Sequence, residues 1–240
     1  MERDALFSYL SNNVDLDMDI RAILFGATGM VGSGVLHECL EHPDITSVLS
    51  VGRKSSNVQH EKLAEVLHED FLDYSAIGER LQGYNACFFC LGVSSVGMEK
   101  EHYRRITYEY TVRAAQLLSR LNPEMVFCYV SGAGTDDTLK SSLSWARVKG
   151  ETENTLKTFP FKKVYLMRPG YIQPRKDARR VHFLYKIGGP LYPLWKLLFP
   201  KSVMTSEEVG QAMINVVLRG SEKQTLEARD MIRLARREQE

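Results

Sequence analysis

Three glycines, Gly26, Gly29 and Gly32, recur every third residue in Gly26-Ala27-Thr28-Gly29-Met30-Val31-Gly32, and Gly34 follows. An apolar run, Ile20-Arg21-Ala22-Ile23-Leu24-Phe25, precedes them, and a helical pattern begins at Val31. A strand, a glycine turn and a helix in that order make an anion cradle. Glycine lets the backbone turn tightly and approach a ligand, and the helix N-terminus offers unpaired N–H groups and a partial positive charge. Such a cradle suits a pyrophosphate, so Gly26, Thr28, Gly29, Met30, Val31 and Gly32 are expected to hold a dinucleotide. The next strand ends in Val51-Gly52-Arg53-Lys54. An acid there would bond the adenosine ribose hydroxyls, whereas the cations Arg53 and Lys54 pair with a 2′-phosphate, which points to NADP(H) over NAD(H). Asp70 and Phe71 follow the third strand and are expected beside the adenine. Leu91 and Gly92 follow the fourth, where small residues leave room for the cofactor.

Other chemistry-bearing residues are weaker signals. Cys87 and Cys90 form a Cys-x-x-Cys, but within Ala86-Cys87-Phe88-Phe89-Cys90-Leu91, which reads as a buried strand, and no second pair accompanies them. The six histidines show no metal-ligand spacing. The expectation is a metal-free protein with its cysteines acting as small buried hydrophobes.

Elements able to position these residues alternate along the chain. Apolar runs at 20–25, 47–51, 64–67, 86–91, 125–130 and 164–167 read as strands, and 31–40, 74–81, 100–121 and 143–158 as helices. The alternation predicts right-handed βαβ crossovers, hence an α/β Rossmann-type fold with a doubly wound parallel sheet. Beyond Pro169-Gly170 the rhythm changes. A hydroxyl followed by acids, Thr205-Ser206-Glu207-Glu208, opens a helix that stops at Gly220, and a short strand (225–227) and a helix (230–237) close the chain. Residues 1–19 are expected to be an N-terminal extension and 20–240 a single domain, with 171–203 and the C-terminal helices forming a small substrate lobe.

Composition restricts partners. With 44% hydrophobic residues and a formal net charge of +1, the chain can build a core and presents no global field toward nucleic acid or an anionic membrane. Six acidic and basic residues among the first twenty exclude a secretory apolar core, and a cytoplasmic location is expected.

Together, Gly26-Ala27-Thr28-Gly29-Met30-Val31-Gly32, Val51-Gly52-Arg53, Cys90-Leu91-Gly92, Val130-Ser131-Gly132-Ala133, Lys149-Gly150-Glu151 and Arg168-Pro169-Gly170 resemble the short-chain dehydrogenase/reductase superfamily over roughly residues 20–235. Within it the chain is similar to an atypical branch whose relatives are NAD-dependent epimerase/dehydratase-like and Tat-interacting-protein-like oxidoreductases. The resemblance implies Ser131 as the serine that holds a substrate oxygen and Lys149 as the lysine that binds the nicotinamide ribose. It places Pro169 and Gly170 beside the carboxamide. The family's catalytic tyrosine, four residues before the lysine, is Trp145 here. An indole N–H donates a hydrogen bond but does not give up its proton near neutral pH.

Three readings of that departure stand side by side. Another group supplies the proton, with Tyr103, His102, Tyr129 and Tyr171 as candidates; or Trp145 shapes the pocket and a water carries it; or catalysis is lost and the protein is an NADP(H)-binding redox-sensing or scaffold module. The resemblance otherwise implies a small-molecule carbonyl or hydroxyl substrate, and is compatible with a homodimer. The aromatic stretch 183–199, interleaved with Lys186 and Lys196, is compatible with core packing, an apolar cover over the site, or a membrane-surface contact.

Overall fold

In β1 (Ile20–Phe25) every side chain except Arg21 is buried, so the strand must lie inside a sheet covered on both faces. A computed structural model of the chain, which describes residues 19–175 and 202–236, shows that sheet. Its strands are β1, β2 (Ile45–Gly52), β3 (Leu63–Leu67), β4 (Ala86–Phe89), β5 (Val126–Val130), β6 (Lys163–Arg168) and β9 (Thr225–Glu227). They run in the order β3-β2-β1-β4-β5-β6-β9, every neighbouring pair parallel. The order reverses between β1 and β4, where a crevice opens beyond the strand ends. The Rossmann-type α/β fold expected from the alternation is therefore present.

Helices cover both faces. On one, α1 (Met30–Glu41), α5 (Ser206–Arg219) and α6 (Ala228–Arg236) pack a largely aliphatic core with Ile20, Ala22 and Leu24. On the other, α3 (Tyr110–Leu121) and α4 (Ser144–Leu156) cover an aromatic core that includes Phe25, Phe71, Tyr74, Phe89, Phe127 and Tyr129. The expected start of α5 is borne out: Thr205 Oγ1 accepts from Glu208 N at 3.1 Å while Glu208 Oε2 accepts from Thr205 N at 2.8 Å. Its end at Gly220, with φ +72°, also stands.

Two expected helices differ. Residues 74–81 form only a 3₁₀ turn, Gly78–Leu81. The side chains of Asp70 and Asp73 accept from the N–H groups of Leu72 and Ser75, which ties the chain into local turns, and Gly78 further disfavours a helix. The expected helix over 100–121 begins as α2 (Lys100–Arg104), passes through a π-helical stretch (Arg105–Glu109) and continues as α3. Its buried positions Tyr103, Thr107, Thr111 and Ala115 recur every four residues. In an α-helix that spacing drifts about 40° per step, and one wider turn reduces the drift.

Of the expected small lobe, β7 (Tyr171–Gln173) and β8 (Val203–Thr205) are described and pair in parallel. The aromatic stretch 183–199 and residues 1–18 of the expected extension lie outside the described residues. No helix among the described residues is long and apolar enough to cross a membrane.

Candidate active site

The glycine turn is built by backbone contacts that no side chain would survive. Gly26 takes φ +84°, and a Cβ there would lie 2.7 Å from the Cys90 carbonyl oxygen on the neighbouring strand end. At Gly32 a Cβ would lie 2.1 Å from the Gly26 oxygen. Gly29 N donates to Gly26 O at 2.9 Å, closing the turn, and Gly29 caps α1 with no side-chain bond and no acid in the first turn. The first N–H groups of α1 therefore stay available to an anion, and Thr28, Met30 and Val31 flank them half-buried.

Around that turn lie the ends of β2, β3 and β4. Arg53 and Lys54, just beyond β2, are exposed and have no ion-pair partner among the described residues. Asp70 is exposed beyond β3, while the Phe71 ring is buried against Phe25, Tyr74 and Tyr110, so any contact it makes with a ligand would be through its backbone. Beyond β4, Leu91 is half-buried and Gly92 exposed, and a Cβ built on Gly92 meets nothing within 4 Å. A crevice floored by glycine backbone, headed by an uncapped helix and flanked by two free cations suits an extended nucleotide diphosphate. The residues present fit a nicotinamide dinucleotide.

Cys87 packs in the aromatic core and Cys90 against the aliphatic one, because an odd spacing along a strand sends side chains to opposite faces. All four cysteines are free thiols.

The second half of the crevice lies over β5, α4 and β6. Ser131 N donates to Met167 O at 2.8 Å and Ala133 N to Pro169 O at 2.9 Å, so the segments following β5 and β6 are stitched together. This brings Ser131, Pro169 and Gly170 to one end of the sheet. The Ser131 hydroxyl, 5% exposed, lies 2.9 Å from Thr135 Oγ1, which in turn donates to Gly132 O at 2.8 Å. Lys149, reaching in from α4, donates to Ser131 O at 2.7 Å and to Val130 O at 3.5 Å, and its ammonium stands 5.8 Å from the centre of the Tyr129 ring. Ser131 and Lys149 therefore meet as expected. Trp145 is half-buried on the preceding turn of α4, where its ring edge would lie 3.4 Å from a Cβ on Gly134.

Beneath Lys149 is a charged pair that sequence reasoning missed. Glu153, one turn on along α4, is fully buried and accepts two bonds from Arg168, at 3.0 Å from Nε and 2.5 Å from Nη2. Arg168 also meets Glu227 at 3.3 Å and Asp137 at 3.6 Å. With Glu153 engaged by Arg168, desolvation dominates at Lys149 and pushes it down to about 8, opposed by the Glu153 charge. Glu153 at i+4 from Lys149 was the available signal; its pairing with a strand residue was not.

The candidate proton donors fare differently. Tyr129 is buried, bonded to Thr152, and pushed well up by desolvation. Tyr103 is buried, bonded to Thr107, and raised for the same reason. His102 is exposed on α2, and the Tyr171 hydroxyl donates to Gln173 Oε1 at 3.2 Å.

Known proteins agree with this geometry. The rat protein HTATIP2 is 26% identical over 207 residues, covering 84% of this chain and 83% of its own. The protein fmp52, mitochondrial, of Aspergillus clavatus is 26% identical over 182 residues, covering 70% of this chain and 76% of its own. Among solved structures, a short chain dehydrogenase family protein from Francisella tularensis matches with a TM-score of 0.65 at 12% identity, covering 87% of this chain and 96% of that one. The Bordetella bronchiseptica enzyme WbmF in complex with NAD+ matches with a TM-score of 0.64 at 14% identity, covering 91% and 78%. These likenesses show the fold.

The relatives correct one expectation. Several, including those of Aspergillus clavatus, Emericella nidulans and Meyerozyma guilliermondii, are named mitochondrial, against the cytoplasmic location expected here. Charged residues near the start argue against a secretory core alone and carry no weight against an organelle.

The model of the NAD dependent epimerase/dehydratase family matches residues 22–144, just over half of the chain. With the glycine turn, strand order and Ser131–Lys149 pairing already in place, the protein belongs to that family, an atypical short-chain dehydrogenase/reductase with a nicotinamide dinucleotide site.

Proposed function

We propose that the protein is an NADP(H)-dependent oxidoreductase that reduces a small carbonyl compound or oxidises the corresponding alcohol. The observation that carries this reading is the Lys149 ammonium held against the Ser131 carbonyl at the end of the strand next to the glycine crevice. Its place beside Ser131, the residue expected to hold a substrate oxygen, supports chemistry at this end of the sheet as well as nucleotide binding.

The residues divide the work by position. The turn Gly26–Gly32 and the N-terminus of α1 take the pyrophosphate, and Arg53 and Lys54 favour a 2′-phosphate. Asp70 and the Phe71 backbone lie toward the adenine, with Leu91 and Gly92 along the dinucleotide and Pro169-Gly170 toward its nicotinamide end. Lys149 serves the ribose and the substrate side of the crevice. Ser131 orients the substrate oxygen, and the Trp145 ring replaces a phenol with an apolar wall, favouring an apolar substrate flank. The bound cofactor supplies or accepts the hydride.

The test is aldehyde-dependent oxidation of NADPH, using 4-nitrobenzaldehyde among a panel of aldehydes and ketones, in the wild type and Ser131→Ala. The reading expects turnover that falls about 100-fold in the variant while NADPH still binds, an amount typical of one oriented donor. NADPH binding without turnover of any carbonyl would contradict it.

A further inference from the structure

Hydride addition to a carbonyl leaves an oxygen that must gain a proton, and the family position for the donor holds an indole. Around Ser131 few groups can give one. The Thr135 hydroxyl proton goes to Gly132 O and the Ser131 hydroxyl bonds Thr135 Oγ1 at 2.9 Å; with substrate bound its proton would turn to the substrate oxygen as a hydrogen bond, and an aliphatic hydroxyl is far too weak an acid to release it. The Tyr129 and Tyr103 hydroxyls are engaged by Thr152 and Thr107 beneath the sheet surface, and His102 stands exposed on α2. With the Tyr171 hydroxyl donating to Gln173 Oε1, Lys149 remains among the described residues, held by Ser131 O and Val130 O.

We infer that Lys149 Nζ itself donates the proton to the substrate oxygen, in place of the missing tyrosine; the inference rests on the oxidoreductase reading above. The valences close. An ammonium has three N–H bonds, two of them directed at backbone carbonyls, which leaves one without a hydrogen-bond acceptor among the described residues. As the carbonyl carbon takes the hydride pair from the reduced nicotinamide, the carbonyl π pair moves to oxygen and forms an O–H bond with that third proton. The N–H pair stays on nitrogen. The resulting neutral amine still has two N–H groups, enough for Ser131 O and Val130 O, so neither state strands a backbone acceptor. Water returns the proton as product leaves.

The charges that face Lys149 allow both states. On α4 the nearest is Glu153, already bound through both oxygens to Arg168 of β6, which also meets Glu227 of β9 and Asp137 of the β5–α4 connection. From β5 it meets the face of the Tyr129 ring, with Tyr103 of α2 beyond. Among the described residues no carboxylate is bonded to it; desolvation brings it down to about 8, opposed by the Glu153 charge.

Acetylation by acetic anhydride, followed residue by residue with mass spectrometry from about pH 6 to about pH 11, reads Lys149 in the protein without nucleotide. The inference expects half-maximal reactivity near pH 8, below the ordinary lysine value of about 10.4. Lys149→Arg keeps charge and donors but cannot release a proton. It should lose about 100-fold or more of 4-nitrobenzaldehyde turnover at saturating NADPH, as the loss of a general acid does. Reactivity of Lys149 at the ordinary lysine value, or wild-type turnover in Lys149→Arg, would overturn the inference. Because the titration needs neither nucleotide nor aldehyde, an ordinary Lys149 titration overturns the inference alone, whereas a shifted titration with no turnover of any carbonyl overturns the oxidoreductase reading on which it rests.

Discussion

The two halves of the crevice are made of different materials. The half over β1 and α1 is backbone: a positive-φ glycine against a neighbouring carbonyl, a second glycine against the first, and an uncapped helix end. The half over β5, α4 and β6 is side chain: a hydroxyl pair, a desolvated lysine and a buried carboxylate–guanidinium pair. Backbone geometry tolerates change everywhere except at its glycines, and so preserves one function, holding a diphosphate. A side-chain half can exchange one member, as Trp145 shows, and keep its frame. This difference explains how a chain can retain the nucleotide site while departing from the usual proton donor.

Breaking the side-chain half at its base should have the largest effect on stability. Glu153→Ala leaves Arg168 with only the half-exposed Asp137 and Glu227, and removing one partner of a buried pair costs about 3–5 kcal/mol. Urea unfolding measures it, and a loss below about 1 kcal/mol would mean that the pair is dispensable. Gly32→Ala attacks the other half. The added methyl meets the Gly26 carbonyl, and forcing backbone apart in a packed turn should cost about 1–3 kcal/mol and weaken nucleotide binding at least about tenfold. A stable Gly32→Ala protein that binds NADPH normally would show that the turn is not the cradle.

Smaller effects sharpen the contrast. Trp145→Tyr returns a phenol one helical turn from Lys149 and should raise carbonyl turnover about tenfold, within the range of general acid catalysis. Unchanged turnover would indicate that the indole does more than occupy the donor's place. The smallest effect is on pH dependence. Folding disfavours the Lys149 ammonium, so unfolded chains bind more protons than folded ones between about pH 8 and the ordinary value of about 10.4. The cost of burying the charge is fully present below that window and is relieved as pH rises through it. The melting temperature of the wild type should therefore gain a few degrees on Lys149→Met between about pH 7 and about pH 10. A difference that stays flat would place the ammonium in water.

The same division decided what could be read from the sequence. Gly26, Gly29 and Gly32 announce their turn because strand, turn and helix are contiguous, and the Thr205–Glu208 cap is equally local. Ser131 and Lys149 were found through resemblance, since nothing between 131 and 149 states that they meet. Thr135 and Glu153 went unseen, and Arg168 was read only within Arg168-Pro169-Gly170, because a buried pair between a helix and a strand leaves no spacing to recognise. The 74–81 helix was expected from apolar spacing that Asp70 and Asp73 override by bonding their own backbone. Phe71 was placed by its position beyond β3, yet its ring belongs to the core.

In the proposed function the glycine crevice holds a nicotinamide dinucleotide whose 2′-phosphate meets Arg53. Calorimetric titration of the wild type and Arg53→Ala with NADPH and NADH, side by side, tests it most directly. The account predicts that NADPH binds more tightly than NADH and that the variant loses about tenfold for NADPH alone, the worth of one charge-assisted contact. Binding of neither nucleotide, or equal losses for both in Arg53→Ala, would contradict it.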